Sequence, residues 1–209
     1  MESYITVANG ASAEYTEKRS RFIAQVFFCD SEQMASDIIA AQKKKYFDAK
    51  HNVYAYILKD NTARFSDDGE PKGTAAKPIL DVIEGSKIVN VLIVVTRYFG
   101  GTLLGTGGLV RAYSTCAGDA LNNTELCEMC PCVRAKIECS YSNYNSLQVL
   151  LSSYDCEISG TAFEANTTVE FLIKSELFEA FCEDLREKFA SRLMVQKIKE
   201  EYFAVKIKK

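Results

Sequence analysis

A chain of 209 residues with 47% hydrophobic residues is long enough for one large or two small folded domains. Its formal net charge of −3 excludes a generally basic nucleic-acid-binding protein, so contact with nucleic acid would need a local basic patch. The segment 1–20 has no signal-peptide pattern, and nothing approaches the ~20 consecutive apolar residues of a membrane span. We therefore expect a soluble, cytoplasmic protein without membrane contact, whose eight cysteines are reduced.

The first third of the chain predicts a strand, a helix and a strand pair. Arg21–Cys29 is apolar and aromatic, which is typical of a strand. A capping residue at Asp30 or Ser31 then precedes a helix whose apolar residues recur at three- and four-residue spacing. Val53–Lys59 alternates as a second strand, and Thr62–Ser66 is predicted as its neighbour across a polar turn.

A further helix, a strand and a long helix are predicted in the middle of the chain. Thr74 is the expected N-cap of a helix that ends at Gly85. The run Val91–Val95 is uninterrupted, which predicts a central strand covered on both faces, since a strand with one wet face would alternate. After a glycine-rich segment, a wide apolar stripe from Leu109 to Leu121 predicts a helix packed on a core.

The pattern restarts after a boundary near Leu126–Pro131. A strand over Val133–Tyr141, a helix, two strands around Asn166, a strongly amphipathic helix and a final strand follow. The order β-α-β-β-α-β is the ferredoxin-like arrangement. The sequence therefore predicts an α+β protein of two domains, residues 1–131 and residues 132–209.

The glycine-rich segment Arg97–Tyr113, RYFGGTLLGTGGLVRAY, lies between a predicted strand and a predicted helix. It matches neither the P-loop nor the dinucleotide fingerprint at the required positions. A glycine loop that leads into a helix N-terminus still presents unpaired N–H groups to an anion, and Arg97 and Arg111 would add positive charge. The alternative is a tight strand-to-helix connection in which glycines let backbones pack closely. The sequence leaves both interpretations open.

The acidic segment SDDGEP at residues 66–71 has three interpretations. Its carboxylates could hold Mg²⁺ or act as a general acid/base pair. Alternatively the Asp-Gly step forms a tight turn that Pro71 closes. In the third interpretation the acidic segment lies near Arg97 or Arg111 and orients that arginine.

Two other groups of residues are candidates for a reactive or metal-binding site. His51 is the chain's single histidine, and its neighbours do not indicate a particular nucleophile. The spacing C-x₂-C-x-C-x₆-C departs from the usual spacing of zinc sites. Cys139, the last cysteine of this pattern, shares the phase of the core-facing residues of its predicted strand, which favours a position in the core. These four cysteines are Cys127, Cys130, Cys132 and Cys139.

The stretches SDDGEPKGTAAKPIL at 66–80 and VVTRYFGGTLLGTGGLVRAYSTCAGDAL at 94–121 closely resemble the IMPACT family, in its bacterial YigZ branch. KRSRFIA and AKHNVYAY add to the resemblance, which covers roughly residues 1–125. It implies an N-terminal domain with the fold of elongation factor G domain IV and a C-terminal domain similar to domain V of that factor. It also implies a link to translation: eukaryotic members regulate the amino-acid-starvation response by binding a ribosome-associated activator protein, and ribosome or nucleic-acid binding is expected of bacterial members.

We therefore predict a translation-linked regulatory protein that binds the ribosome, RNA or a ribosome-associated protein through the face of its glycine-rich loop. The alternative is a metal-assisted hydrolase that uses the SDDGEP carboxylates; a binding role is favoured over an enzymatic one. No cofactor or resident metal is predicted, and the oligomeric state is left open. The residues assigned to nucleic-acid or anion binding are Arg97, Tyr98, Gly100, Gly101, Gly105, Gly107, Gly108, Arg111, Lys72, Thr74 and His51, and those assigned to the rim of the site are Asp67, Asp68 and Glu70.

Overall fold

The computed structural model describes residues 1–207 and divides them into two compact units. The N-terminal unit comprises Tyr4–Glu128 together with Lys206 and Ile207. The C-terminal unit comprises Met129–Val205 together with Met1–Ser3. Both units contain helices and strands, so the predicted α+β class with two domains is confirmed.

The N-terminal unit is framed by an antiparallel sheet. The bounds of its strands are β1 Tyr4–Asn9, β2 Ser12–Glu17, β3 Ser20–Phe28, β4 His51–Ile57, β5 Ala63–Ser66 and β6 Val91–Tyr98. Five of these strands form a sheet in the order β2-β3-β6-β4-β5, in which all neighbours are antiparallel. The sixth, β1, pairs with the strand that begins at Glu125.

Helices cover both faces of this sheet, as the uninterrupted run in β6 predicts. Val91, Ile93 and Val95 lie in the larger apolar core with residues of two helices. Leu92 and Val94 lie in a smaller core on the other face, which contains residues of the first helix. The helices are α1 Glu32–Lys45 on the smaller core, and α2 Ala76–Ser86 and α3 Gly105–Asn122 on the larger one.

Sequence reasoning missed the two strands that precede β3. β2 lies at an edge of the sheet and its residues alternate between half-buried and exposed, so its sequence SAEYTE carries few apolar residues. β1 contributes only Thr6 and Val7 as buried residues. An edge strand of this kind gives a weak hydrophobic signal, because only one of its faces is covered.

The C-terminal unit has the predicted β-α-β-β-α-β order. Its elements are β7 Glu125–Cys139, α4 Tyr141–Ser153, β8 Glu157–Phe163, β9 Thr167–Lys174, α5 Phe178–Lys188 and β10 Val195–Lys206. β9 lies between β7 and β8 in antiparallel register, and β10 pairs with β7. β7 begins earlier than predicted, so the predicted boundary region Leu126–Pro131 lies within a strand. Within residues 1–207 there is no helix long and apolar enough to cross a bilayer.

Candidate functional site

Loops from four places in the chain meet at one end of the N-terminal sheet. The register pairs Arg97 with Phe22 on one side and with His51 on the other, so the turns that flank these residues leave the sheet together. The acidic segment joins them through a hydrogen bond between His51 Nδ1 and the carbonyl oxygen of Asp68, at 2.8 Å. We call this region the loop end; it consists of residues 18–19, 46–50, 67–73 and 99–104.

The glycine-rich segment divides into a loop and the first turn of α3. Gly100 lies so close to the β2–β3 turn that a Cβ placed there would be 2.0 Å from the Arg19 carbonyl carbon. Gly101 and Gly105 have φ values of +81° and +72°, which favour glycine. These three glycines are therefore required by the backbone, as the structural interpretation predicts.

Gly107 has no comparable structural requirement. No atom outside its own helix backbone and its chain neighbours lies within 4 Å of a Cβ placed there, and its φ is not positive. It is exposed in the first turn of α3, together with Gly105, while Gly108 is half-buried. The residue at the N-cap, Leu104, makes no side-chain cap hydrogen bond. The first turn of α3 therefore presents backbone N–H groups at an exposed surface with little side-chain cover.

A buried ion pair lies beneath this loop. Arg97 Nη1 is 2.6 Å from Glu70 Oε1, and both residues are buried. The same carboxylate oxygen accepts a hydrogen bond from the Tyr113 hydroxyl at 2.8 Å. Burial and the neighbouring Glu70 carboxylate raise the pKa of Tyr113, which keeps this hydroxyl a donor. The third interpretation of the acidic segment, in which it lies against an arginine, describes this geometry.

Arg97 is also linked to the glycine-rich loop at Gly100 by hydrogen bonds that share the Ser20 hydroxyl. Its Nη2 donates to Ser20 Oγ at 3.4 Å, and the same hydroxyl oxygen accepts from the Gly100 N–H at 3.2 Å. Its Nε is buried and has no hydrogen-bond partner among the described residues. Arg97 is only 5% exposed, so its guanidinium orders the loop end from inside.

The acidic segment forms the tight turn that its Asp-Gly step predicts. The Glu70 N–H donates to the Asp67 carbonyl oxygen at 2.9 Å. The two central residues have positive φ, +45° at Asp68 and +88° at Gly69. Asn and Asp tolerate this conformation better than other side chains, and glycine adopts it freely.

Thr74 does not cap α2, so that prediction is wrong. Its hydroxyl donates to the Pro71 carbonyl oxygen at 2.7 Å, and the N-cap residue Ala75 offers no side-chain oxygen. The cap comes from earlier in the chain: Asp67 Oδ1 accepts from the Ala76 N–H at 2.8 Å, and Oδ2 accepts from the Gly73 N–H at 2.8 Å. A carboxylate at a helix N-terminus also interacts favourably with the helix dipole.

Asp68 links the acidic segment to α1 and β4. Its Oδ1 is 2.6 Å from Lys43 Nζ, and its Oδ2 accepts from the Asn52 N–H at 2.7 Å. Partial burial alone would raise the pKa of Asp68, but the hydrogen bonds from Lys43 and Asn52 outweigh it and the pKa is lowered. His51 Nδ1 must carry its hydrogen, because the Asp68 carbonyl only accepts.

We expect Asp68→Asn to destabilise the N-terminal unit by about 1 kcal/mol at neutral pH, because the charged partner of Lys43 is lost. A carboxyl whose pKa is lowered by folding stabilises the fold above its unfolded pKa, and this contribution disappears as the pH falls through the folded pKa. The difference in stability between wild type and variant should therefore shrink as the pH falls below 3.8, the ordinary pKa of an aspartate. Urea unfolding of both proteins at neutral and at acidic pH measures this difference in stability. An equal difference at the two pH values would show that the charge of Asp68 does not stabilise the fold.

The charges at the loop end are unbalanced. Each acidic side chain there has a partner within the protein: Asp48 accepts from the Tyr98 hydroxyl at 2.9 Å, and the other three carboxylates make the contacts given above. Six exposed cations at or next to the loop end form no ion pair among residues 1–207. They are Lys18, Arg19, Lys44, Lys45, Lys50 and Lys72. This is the local basic patch that the net charge of −3 conceals.

The remaining predicted site residues are spread between the surface and the interior. Lys72 is exposed directly after the acidic segment, and Tyr98 is half-buried at the end of β6. His51 and Thr74 are buried, and Arg111 is exposed further along α3. Sequence reasoning assigned no role to the cations of residues 18, 19 and 50, although they lie in KRSRFIA and AKHNVYAY, the two short stretches that support the family resemblance.

The four spaced cysteines all lie on β7 and are buried. Cys139 belongs to the core of the C-terminal unit, which confirms its predicted position. Cys130 and Cys132 pack with Leu172 in a separate small cluster. Within the described part of the chain, no three His, Cys, Asp or Glu side chains are grouped so that they could hold a metal ion.

Comparisons with known proteins agree with the resemblance seen in the sequence. Residues 18–121 match the family model of the Impact N-terminal domain, and residues 137–192 match a domain of unknown function, DUF1949. An IMPACT family member from Haemophilus influenzae is 36% identical over 200 residues, which cover 94% of this chain and 97% of that protein. The IMPACT family member YigZ from Escherichia coli is 34% identical over 79% of this chain and 83% of its own. The crystal structure of a hypothetical protein matches with a TM-score of 0.63 and 30% identity, over 96% of this chain and 100% of that one.

Proposed function

This chain belongs to the IMPACT family, in its bacterial YigZ branch, and we propose that it is a translation-linked protein that binds ribosomal RNA through the loop end of its N-terminal unit. The observation that carries this proposal is the charge imbalance described above. Four carboxylates are held by partners within the protein, while six exposed cations form no ion pair within residues 1–207 and are available to contact phosphate. Phosphate contacts dominate the affinity of proteins for nucleic acids.

Backbone N–H groups supplement these cations. The exposed first turn of α3 has the geometry that suits an anion, because the N–H groups there have no partner within the helix and the helix dipole is positive at this end. Gly107, which has no structural requirement for glycine, would let an RNA backbone approach this turn closely. Arg97 is buried, so in this proposal it is a positioning residue that holds the loop through Ser20 and leaves direct contacts to exposed neighbours.

The alternative of a metal-assisted hydrolase has less support from the same geometry. Asp67 caps α2, Asp68 pairs with Lys43, and Glu70 is buried against Arg97. A hydrolase would have to withdraw at least two of these carboxylates from contacts that order the loop end. RNA binding by the loop end requires no change in the contacts of these three carboxylates.

Co-sedimentation with ribosomes across a salt series tests the proposal. We expect wild-type binding to weaken steeply with salt, and the variant Lys18→Gln/Arg19→Gln/Lys50→Gln/Lys72→Gln to lose affinity. For a single-stranded ligand, each lost phosphate contact should reduce the slope of log affinity against log salt by about 0.7. A matched control removes the same charge from exposed positions of the C-terminal unit: Lys174→Gln/Arg186→Gln/Lys188→Gln/Arg192→Gln.

Two outcomes would count against this function. Equal losses in the two quadruple variants would show that overall charge matters and the loop end does not. Binding that survives nuclease treatment and depends little on salt would indicate a protein partner instead of RNA.

A further inference from the structure

Two phenylalanines and a leucine at the loop end are exposed although they are large and apolar. Phe47 is 84% exposed, Leu103 is 82% exposed and Phe99 is 47% exposed. A single exposed apolar side chain needs no explanation, but three on neighbouring loops form a surface feature. The hydrogen bond from the Tyr98 hydroxyl to Asp48 ties together the loops that carry the two phenylalanines.

These rings do not serve the core of the protein. Phe47 and Phe99 belong to none of the apolar clusters of the N-terminal unit. The inner side of the Phe99 ring instead contacts Arg97, whose buried guanidinium lies 5.6 Å from the ring centroid. A cation beside an aromatic ring at this distance is attractive. The Phe99 ring is therefore supported by the protein and still half open to a ligand.

The surroundings of the rings indicate what that ligand is. Exposed cations that form no ion pair within residues 1–207 flank them along the chain: Lys44 precedes Phe47, Lys50 follows it, and Arg19 lies against Gly100 beside Phe99. Aromatic rings between cations are the arrangement with which proteins bind single-stranded nucleic acid, since bases stack on the rings and phosphates meet the charges. A duplex offers its phosphates but keeps its bases stacked in the helix.

We infer that Phe47 and Phe99 stack unpaired bases, so that the ligand of the loop end is a single-stranded segment of RNA. This inference rests on the proposed function and specifies its substrate class. It adds two contacts that read the open faces of bases and that need no particular base, because every base has an aromatic face. An apolar partner protein would use the same rings but would gain nothing from the free cations.

Fluorescence anisotropy with a labelled adenine-rich RNA of roughly 12 nucleotides tests this inference. The same strand annealed to its complement gives the duplex probe. We expect the full-length protein to bind the single strand more tightly than the duplex, and Phe47→Leu/Phe99→Leu to weaken single-strand binding by about tenfold or more while duplex binding changes little. Leucine keeps an apolar side chain and removes only the ring. Phe65→Leu is the matched control, since Phe65 is 49% exposed on β5, outside the loop end.

The outcomes separate this inference from the function on which it rests. Salt-dependent binding of both probes, with no effect of the double leucine variant, would overturn base stacking and leave RNA binding by the loop end intact. Equal losses in Phe65→Leu and the double variant would also overturn it. No binding of either probe at low salt, together with ribosome binding that the double leucine variant abolishes, would overturn both and identify the rings as a protein-docking surface.

Discussion

Replacing Glu70 with alanine is expected to destabilise the N-terminal unit by about 3–5 kcal/mol, which is the usual cost of leaving a buried charge without its partner. Glu70 is the sole carboxylate that the described residues place in an ion pair with Arg97, and it also accepts the Tyr113 hydroxyl. The variant would leave a buried guanidinium without its charged partner, with only the 3.4 Å hydrogen bond to Ser20, and a buried phenol without the Glu70 acceptor. Urea unfolding followed by circular dichroism measures the loss, and hydrogen exchange of β6 peptides assigns it to this unit.

Glu84→Ala is the control for this prediction. Glu84 pairs with Lys77 at 3.5 Å on the exposed face of α2, with about half of each side chain accessible. Exposed ion pairs contribute at most about 1 kcal/mol, so this variant should unfold almost as the wild type does. Similar small effects in both variants would mean that the Arg97–Glu70 pair does not order the loop end.

The second large effect is expected at Gly100. An alanine Cβ there would lie 2.0 Å from the Arg19 carbonyl carbon and 2.3 Å from its oxygen, so backbone must move. We expect a loss of about 1–3 kcal/mol, towards the upper end because the neighbour is not a flexible side chain. The shift would also separate Gly100 from Ser20 Oγ and weaken ribosome binding. Thermal and urea unfolding, with co-sedimentation at one salt concentration, measure both effects.

Gly107→Ala is the matched substitution in the same segment. Apart from its chain neighbours and the backbone of its own helix, no described atom lies within 4 Å of the added methyl group, and the residue is helical. Alanine should therefore stabilise α3, by about 0.5–1 kcal/mol if the position behaves as a helix interior. If both substitutions destabilised the protein equally, the close approach at Gly100 would not be the reason for its glycine.

Local and periodic signals in the sequence predicted much of the fold. The run Val91–Val95 indicated a strand covered on both faces, and β6 is central in its sheet. Ser31 is the N-cap of α1 and its hydroxyl accepts from the Met34 N–H, as its residue type suggests. The order of elements in the C-terminal unit followed from alternation and helical spacing alone.

The candidate site was less predictable because its contacts are long-range. Glu70 lies 27 residues from Arg97, and Ser20 lies 77 residues from it, so only the strand register brings them together. Asp67, which caps α2, lies nine residues before Ala76. The predicted cap was Thr74, because a capping residue is usually found directly before its helix. Exposure of Phe47 could not be predicted either, since an aromatic residue after a helix is equally compatible with a core position.

Ultraviolet cross-linking of the ribosome-bound protein, with mass-spectrometric identification of the RNA-linked peptides, tests the central claim most directly. If the loop end binds ribosomal RNA, nucleotide adducts should map to the peptides that contain Phe47 and Phe99 and to the turn at Lys18–Arg19. Adducts confined to the C-terminal unit, or ribosomal proteins cross-linked to the loop end in place of RNA, would contradict it.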